Sequence, residues 1–146
     1  MNCAWEALVR LLPGWIRQQV DPRGRESLRE LRLRLERPPE LVGVRESGCG
    51  AGAVTHEDLQ YVINTASRYS PWAAATAAKG YITAPGGHRI GICGQAVTAG
   101  GEMTGIREPD SLWIRVARDF PGISGSLSKE SGSILILGRP GAGKTT

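Results

Sequence analysis

No apolar run in this chain approaches the ~20 residues that a membrane-spanning helix requires, and with charged residues beginning at Glu6 no secretory leader is expected. Cysteine and histidine are scarce. Cys3, Cys49 and Cys93 are odd in number and far apart with no C-x-x-C pair, and His56 and His88 stand alone. That excludes a disulfide framework and argues against a zinc site, leaving free thiols in a reducing compartment. The chain also lacks any block of like charge. Its net charge of +4 divides into +3 over residues 1–45 and +1 over the remainder, and fifteen of its eighteen cations are arginine. Without a basic tail or stripe, nucleic acid is not an expected partner. The expected location is the cytoplasm, with peripheral attachment to the cytoplasmic face of a membrane as the one compatible variation.

What is present is enough for one domain. At 146 residues the chain can bury roughly two-thirds of its unfolded surface, and its twenty glycines imply many turns. Trp5, Leu8 and Leu12, then Trp15 and Ile16, keep helical spacing over residues 3–20, interrupted at Pro13. Asp21-Pro22-Arg23-Gly24 reads as a turn. Strict alternation of Leu31, Leu33 and Leu35 against Arg32, Arg34 and Glu36 predicts a half-buried strand, with 41–44 pairing back. A Gly-rich loop follows over 46–53. Thr55 is a helix N-cap with Glu57 and Asp58 in the first turn. A second helix begins at Ser70-Pro71 and ends at Gly80. Strands are expected at 81–84, 88–97, 102–107 and 111–117, then a linker from 118 to 128.

The last nine residues carry the chemistry. Gly138-Arg139-Pro140-Gly141-Ala142-Gly143-Lys144-Thr145-Thr146 matches G-x-x-x-x-G-K-[ST] and follows the apolar run Ile134-Leu135-Ile136-Leu137, which reads as a buried parallel strand. Glycines allow successive backbone N–H groups to converge on phosphates. Gly138, Gly141, Ala142, Gly143, Lys144, Thr145 and Thr146 are therefore the expected nucleotide-binding residues, with ATP and Mg²⁺ as cofactors. Lys144 would meet the β- and γ-phosphates, and Thr145 would offer its hydroxyl to Mg²⁺. The helix that should follow such a loop would lie beyond Thr146, as would any acidic residue to hold metal or orient water. The expectation is thus a complete α+β domain over 1–128, N-terminal helices plus an antiparallel sheet. Residues 129–146 would be the first strand and P-loop of a truncated α/β P-loop NTPase domain. A piece so bounded should not hydrolyse ATP on its own.

Gly86-Gly87-His88-Arg89-Ile90-Gly91-Ile92-Cys93-Gly94 and Ser111-Leu112-Trp113-Ile114-Arg115-Val116-Ala117-Arg118, followed in order by Gly143-Lys144-Thr145-Thr146, resemble the stage III sporulation protein AA family. Leu31-Arg32-Leu33-Arg34, Thr55-x-Glu57-Asp58-Leu59 and Tyr69-Ser70 fit the same pattern. The chain departs from it in the alanine-rich 73–79 stretch and at Arg139. The resemblance implies an ATPase related to those of type II and type IV secretion, often hexameric. It would work in the mother cell during endospore formation, where it energises a channel complex of other stage III sporulation proteins. It also implies that arginines on strands of the N-terminal domain complete the phosphate site, which makes Arg115 the candidate catalytic contact to the γ-phosphate.

Each of the other motif residues has two readings. Gly86-Gly87 and Gly91-x-x-Gly94 fit a strand hairpin with a bulge better than a second phosphate loop, because no helical pattern follows. His88 reads as a hydrogen-bonded turn residue rather than a base, and Trp113 as a packed aromatic rather than a stacking platform. The rival to the ATPase reading as a whole is a nucleic-acid-binding adaptor fused to a P-loop NTPase.

Overall fold

The computed structural model describes residues 3–44, 48–68, 72–118, 122, 125–140, 142 and 144. The chain opens with α1 (Cys3–Leu11) and α2 (Gly14–Gly24), whose apolar stripes, with Leu12 between them, bury Trp5, Leu8, Leu11, Ile16 and Val20. Proline at the N-cap of α2 ends the first helix and begins the second, as the sequence predicts. The turn expected at 21–24 does not form: α2 runs through Pro22 to Gly24. Proline inside a helix costs about 3 kcal/mol, but stopping earlier would unmake the buried stripe Ile16, Val20, Gly24. Gly24 lies so close under the Trp5 ring that a Cβ there would sit 2.8 Å from it.

Six strands follow, β1 (Glu30–Arg34), β2 (Glu40–Val42), β3 (Gly48–Cys49), β4 (Tyr81–Ala84), β5 (His88–Ala99) and β6 (Glu102–Arg115). They form one sheet in the order β3-β2-β1-β6-β5-β4, with every strand pair antiparallel. β3 occupies part of the segment expected as loop, its two residues pairing with Glu40 and Leu41. The strands expected at 102–107 and 111–117 are instead one strand, β6, kinked at Glu108 with φ 50°. The excess lies in β6, whose residues 108–110 face Gly94 alone across the register shift between Cys93 and Gln95.

Between β3 and β4 lie α3 (His56–Ser67) and α4 (Ala73–Ala77). Thr55 and Asp58 form a reciprocal capping box at the start of α3. Ser70 and Pro71, the expected start of the next helix, lie outside the described residues. Leu59, Val62 and Ala66 of α3 pack with α1 and α2 on one face of the sheet, over Leu31, Leu33, Ile82, Ile90, Leu112 and Ile114. Period-two alternation puts the remaining strand side chains on the opposite face. Arg34, Tyr81, Thr83, Arg89, Trp113 and Arg115 are exposed there.

The described residues beyond Arg118 add nothing to that core. Ile134, Leu135, Ile136 and Leu137 were expected as a buried strand, and they form no strand. They are 47, 81, 47 and 82% exposed. The physical reason is pairing: a strand exists only against a partner, and none of the described residues offers these four one. Among the described residues the architecture is therefore α+β, and no helix is long and apolar enough to cross a membrane.

Candidate functional site

Lys144 folds back on the backbone at Gly138 and Arg139. The Lys144 Nζ donates to the carbonyl oxygens of Gly138 and Arg139, both at 2.8 Å. Its stem passes Gly138 at contact distance, a Cβ at 138 lying 3.5 Å from Lys144 Cγ and, more tightly, 3.3 Å from Ala142 Cβ. An ammonium has three donors, so one stays free of these carbonyls. A lysine folded back on the backbone at Gly138 and Arg139 has the donor chemistry to fit a phosphate chain. Gly141, Gly143, Thr145 and Thr146 lie outside the described residues.

Arg115 lies at the other candidate surface, the open face of the sheet. Register sets two rows of side chains across it. One row reads Tyr81, Gly91, Trp113, Arg32, Glu40, and the next reads Thr83, Arg89, Arg115, Glu30. The β1 side is neutralised internally. Arg32 bonds Glu30 and, at 3.3 Å, Glu40, while Arg34 also bonds Glu40. The hydrogen bond from Arg32 to the Glu30 carboxylate raises the Arg32 pKa above its ordinary value, and the Arg32 guanidinium lies 4.4 Å from the centre of the Trp113 ring. Arg89 and Arg115 differ: among the described residues neither forms an ion pair, although they sit directly opposite each other. With Tyr81, Thr83, Ile90, Gly91 and Trp113 they line a groove of about 480 Å³. Trp113 is 43% exposed, so it is not a core aromatic. Sequence reasoning singled out Arg115 and passed over Arg89. The signal was there in the alternation that turns His88 inward and Arg89 outward.

The family model for sporulation stage III, protein AA, matches residues 4–146. The chain belongs to this family. It is 35% identical over 125 residues to stage III sporulation protein AA of Bacillus subtilis (strain 168), an alignment covering 82% of this chain and 41% of that protein. The chain thus spans about two fifths of the length of that curated relative. No solved structure matches it.

Two residues of the motif segments have structural work. His88 is wholly buried. Its Nδ1 accepts the Ala117 N–H at 3.0 Å, which leaves Nε2–H to donate to the Ala4 carbonyl at 2.6 Å. With both nitrogens occupied and burial lowering its pKa, it is a strut between α1, β5 and the end of β6, as the turn reading anticipated. Gly86 and Gly87, with φ of 84° and 82°, make the β4–β5 turn. Gly91 and Gly94 lie within β5, so this segment is a hairpin and not a second phosphate loop. Arg118 caps α2: its guanidinium donates to the carbonyls of Gly24 at 2.9 Å, Arg25 at 3.1 Å and Leu28 at 3.1 Å. Burial lowers its pKa.

Proposed function

We propose that this chain is the nucleotide-binding N-terminal part of a secretion-type sporulation ATPase that energises a channel complex during endospore formation. In this reading residues 1–128 form the α+β domain and 129–146 open a P-loop NTPase domain. ATP with Mg²⁺ supplies a phosphoanhydride whose cleavage drives the assembly. Lys144 holds the β- and γ-phosphates, the backbone from Gly138 through Gly141, Ala142, Gly143 and Thr146 surrounds them, and the Thr145 hydroxyl faces the metal. Arg115 is the cation delivered to the γ-phosphate. The full protein works as a homo-oligomer, hexameric by analogy with secretion ATPases, with other stage III sporulation proteins at the cytoplasmic face of a membrane.

The observation that carries this reading is Lys144 folded back on the backbone, with Nζ 2.8 Å from two carbonyls, in a chain of this family. Among the described residues Arg115 forms no ion pair, unlike Arg32 and Arg34 on the same face, and that supports its assignment.

The two residues separate in their kinetics. Lys144→Ala removes charge-assisted bonds worth about 1.5–3 kcal/mol each, so nucleotide affinity should fall by roughly ten- to hundredfold, and turnover with it. Arg115→Ala should leave affinity within a few-fold and cut turnover by about three orders of magnitude or more, since an arginine there acts on charge that develops in the transition state. Titration calorimetry and steady-state hydrolysis by the full-length oligomer would measure both. Unchanged affinity in Lys144→Ala would remove the P-loop assignment. Wild-type turnover in Arg115→Ala would return that residue to the solvated sheet face.

A further inference from the structure

Gly91 is a glycine that neither backbone nor packing demands. It sits mid-strand in β5 without positive φ, and a Cβ built on it would meet only Trp113 O at 3.8 Å and Trp113 Cβ at 3.9 Å, both ordinary contacts. No ring atom of Tyr81 or Trp113 comes within 4 Å of that point. Glycine weakens a strand and normally marks a close approach of something else. Here the approach comes from outside the sheet. Gly91 is the floor of a slot, with Tyr81 on one neighbouring strand and Trp113 on the other, 48% and 43% exposed. Adjacent strands lie ~4.8 Å apart, so the two aromatic residues are separated by about two such spacings, room for a flat ring between or against them.

The next row adds charge. Arg89 and Arg115 are directly opposed across β5 and β6, an arrangement that destabilises a sheet when left alone. The one acidic neighbour in that row, Glu30, is engaged by Arg32. The two rows are two residues apart along the strands, roughly 6.8 Å, a span that one nucleotide covers from ring to phosphate. The geometry points to a nucleotide-binding groove on the open sheet face. The base stacks on Trp113 and Tyr81 above Gly91, and the phosphates meet Arg89 and Arg115.

The occupant is a free nucleotide rather than a nucleic-acid strand. The cationic stretch is one residue pair long, and Glu30 and Glu40 close it on the β1–β2 side, whereas a strand-binding groove tracks several phosphates. A groove of about 480 Å³ is also of small-ligand size. This deepens the proposed function, on which it rests for the triphosphate. It adds Arg89 as a phosphate contact and gives the sheet face a role in recognising the base.

The test is titration of this chain with ATP, with inorganic triphosphate and with a short oligothymidylate. Gly91→Val fills the slot with a residue that strands favour. It should keep the wild-type melting curve and triphosphate affinity while weakening ATP at least about tenfold, the scale of one lost base stack. Trp113→Leu should do the same by removing a wall. Arg89→Gln should weaken ATP and triphosphate alike. Wild-type ATP affinity in both folded Gly91→Val and Trp113→Leu overturns the slot. If oligothymidylate outbinds ATP and loses affinity in Gly91→Val, the occupant is a strand and the free-nucleotide proposal is overturned. The P-loop assignment is judged separately, on whether Lys144→Ala weakens inorganic triphosphate.

Discussion

His88 shows how one buried side chain ties distant parts of the chain together. It bridges Ala4 and Ala117, 84 and 29 residues away, and nothing but its neutral Nε2–H tautomer satisfies both partners. Gly86 clears the space for it: a Cβ there would stand 2.9 Å from His88 Nε2 and 3.2 Å from Ala4 Cα. Burial lowers the folded-state pKa from the ordinary 6.5. Below 6.5 the unfolded chain therefore takes up a proton that the folded chain resists, and stability falls with falling pH. His88 should contribute fully above about pH 6.5 and progressively less as the pH drops through its folded pKa. His88→Ala should cost about 2–4 kcal/mol at neutral pH, combining a cavity with two stranded backbone groups, and should flatten the acid limb. Urea denaturation of both proteins across this pH range checks the two effects. A wild-type profile level from neutrality down to pH 5 would remove the tautomer argument. The sequence identified a hydrogen-bonded histidine, but its partners come from opposite ends of the domain and could not be read from spacing.

At the scale of the element, β5 contains two glycines, three residues apart, with opposite meanings. Gly94 sits at the bulge. A Cβ there would meet Glu108 O and Ile106 Cγ2 at 2.8 Å, with Arg107 O at 3.0 Å, so the kinked β6 backbone closes against it. Gly94→Val should therefore lower stability by about 1–3 kcal/mol, the cost of overpacking, while Gly91→Val should leave the melting temperature unchanged or raise it. Calorimetry of the pair distinguishes a packing glycine from a binding one, and equal destabilisation would erase the distinction. The sequence could not make it, since both residues belong to the same Gly-x-x-Gly motif. The same limit explains two element errors. Pro22 looked like a turn because the burial of Gly24 under Trp5 is not visible locally, and β6 looked like two strands because Glu108-Pro109-Asp110 is turn-like in composition.

For the whole molecule, the core draws on residues from Trp5 to Val116 and on none of the described residues beyond Arg118. The backbone bonds there are local turns, Gly125 to Gly122, Glu130 to Leu127 and Ala142 to Arg139. Deleting residues 129–146 should therefore leave the melting temperature of the first domain within a degree or two and increase its solubility, because four exposed apolar residues leave with the segment. Scanning calorimetry and light scattering check both, and a clear fall in melting temperature would move the domain boundary proposed at residue 128. Much of this was legible beforehand. Helical spacing from Trp5 to Ile16, the Leu31–Leu33 alternation and the Thr55 cap are set by nearest neighbours along the chain, and so were readable without a fold. The G-x-x-x-x-G-K-[ST] pattern, whose residues are consecutive, is likewise a property of the sequence alone. Only the tertiary structure brought β1 beside β6 and β6 beside β5. Those pairings join residues up to 85 positions apart, Glu30 to Arg115, and leave one sheet face uncovered by the described residues. Register, which local composition does not specify, is what set Arg89 against Arg115 and Gly91 between Tyr81 and Trp113.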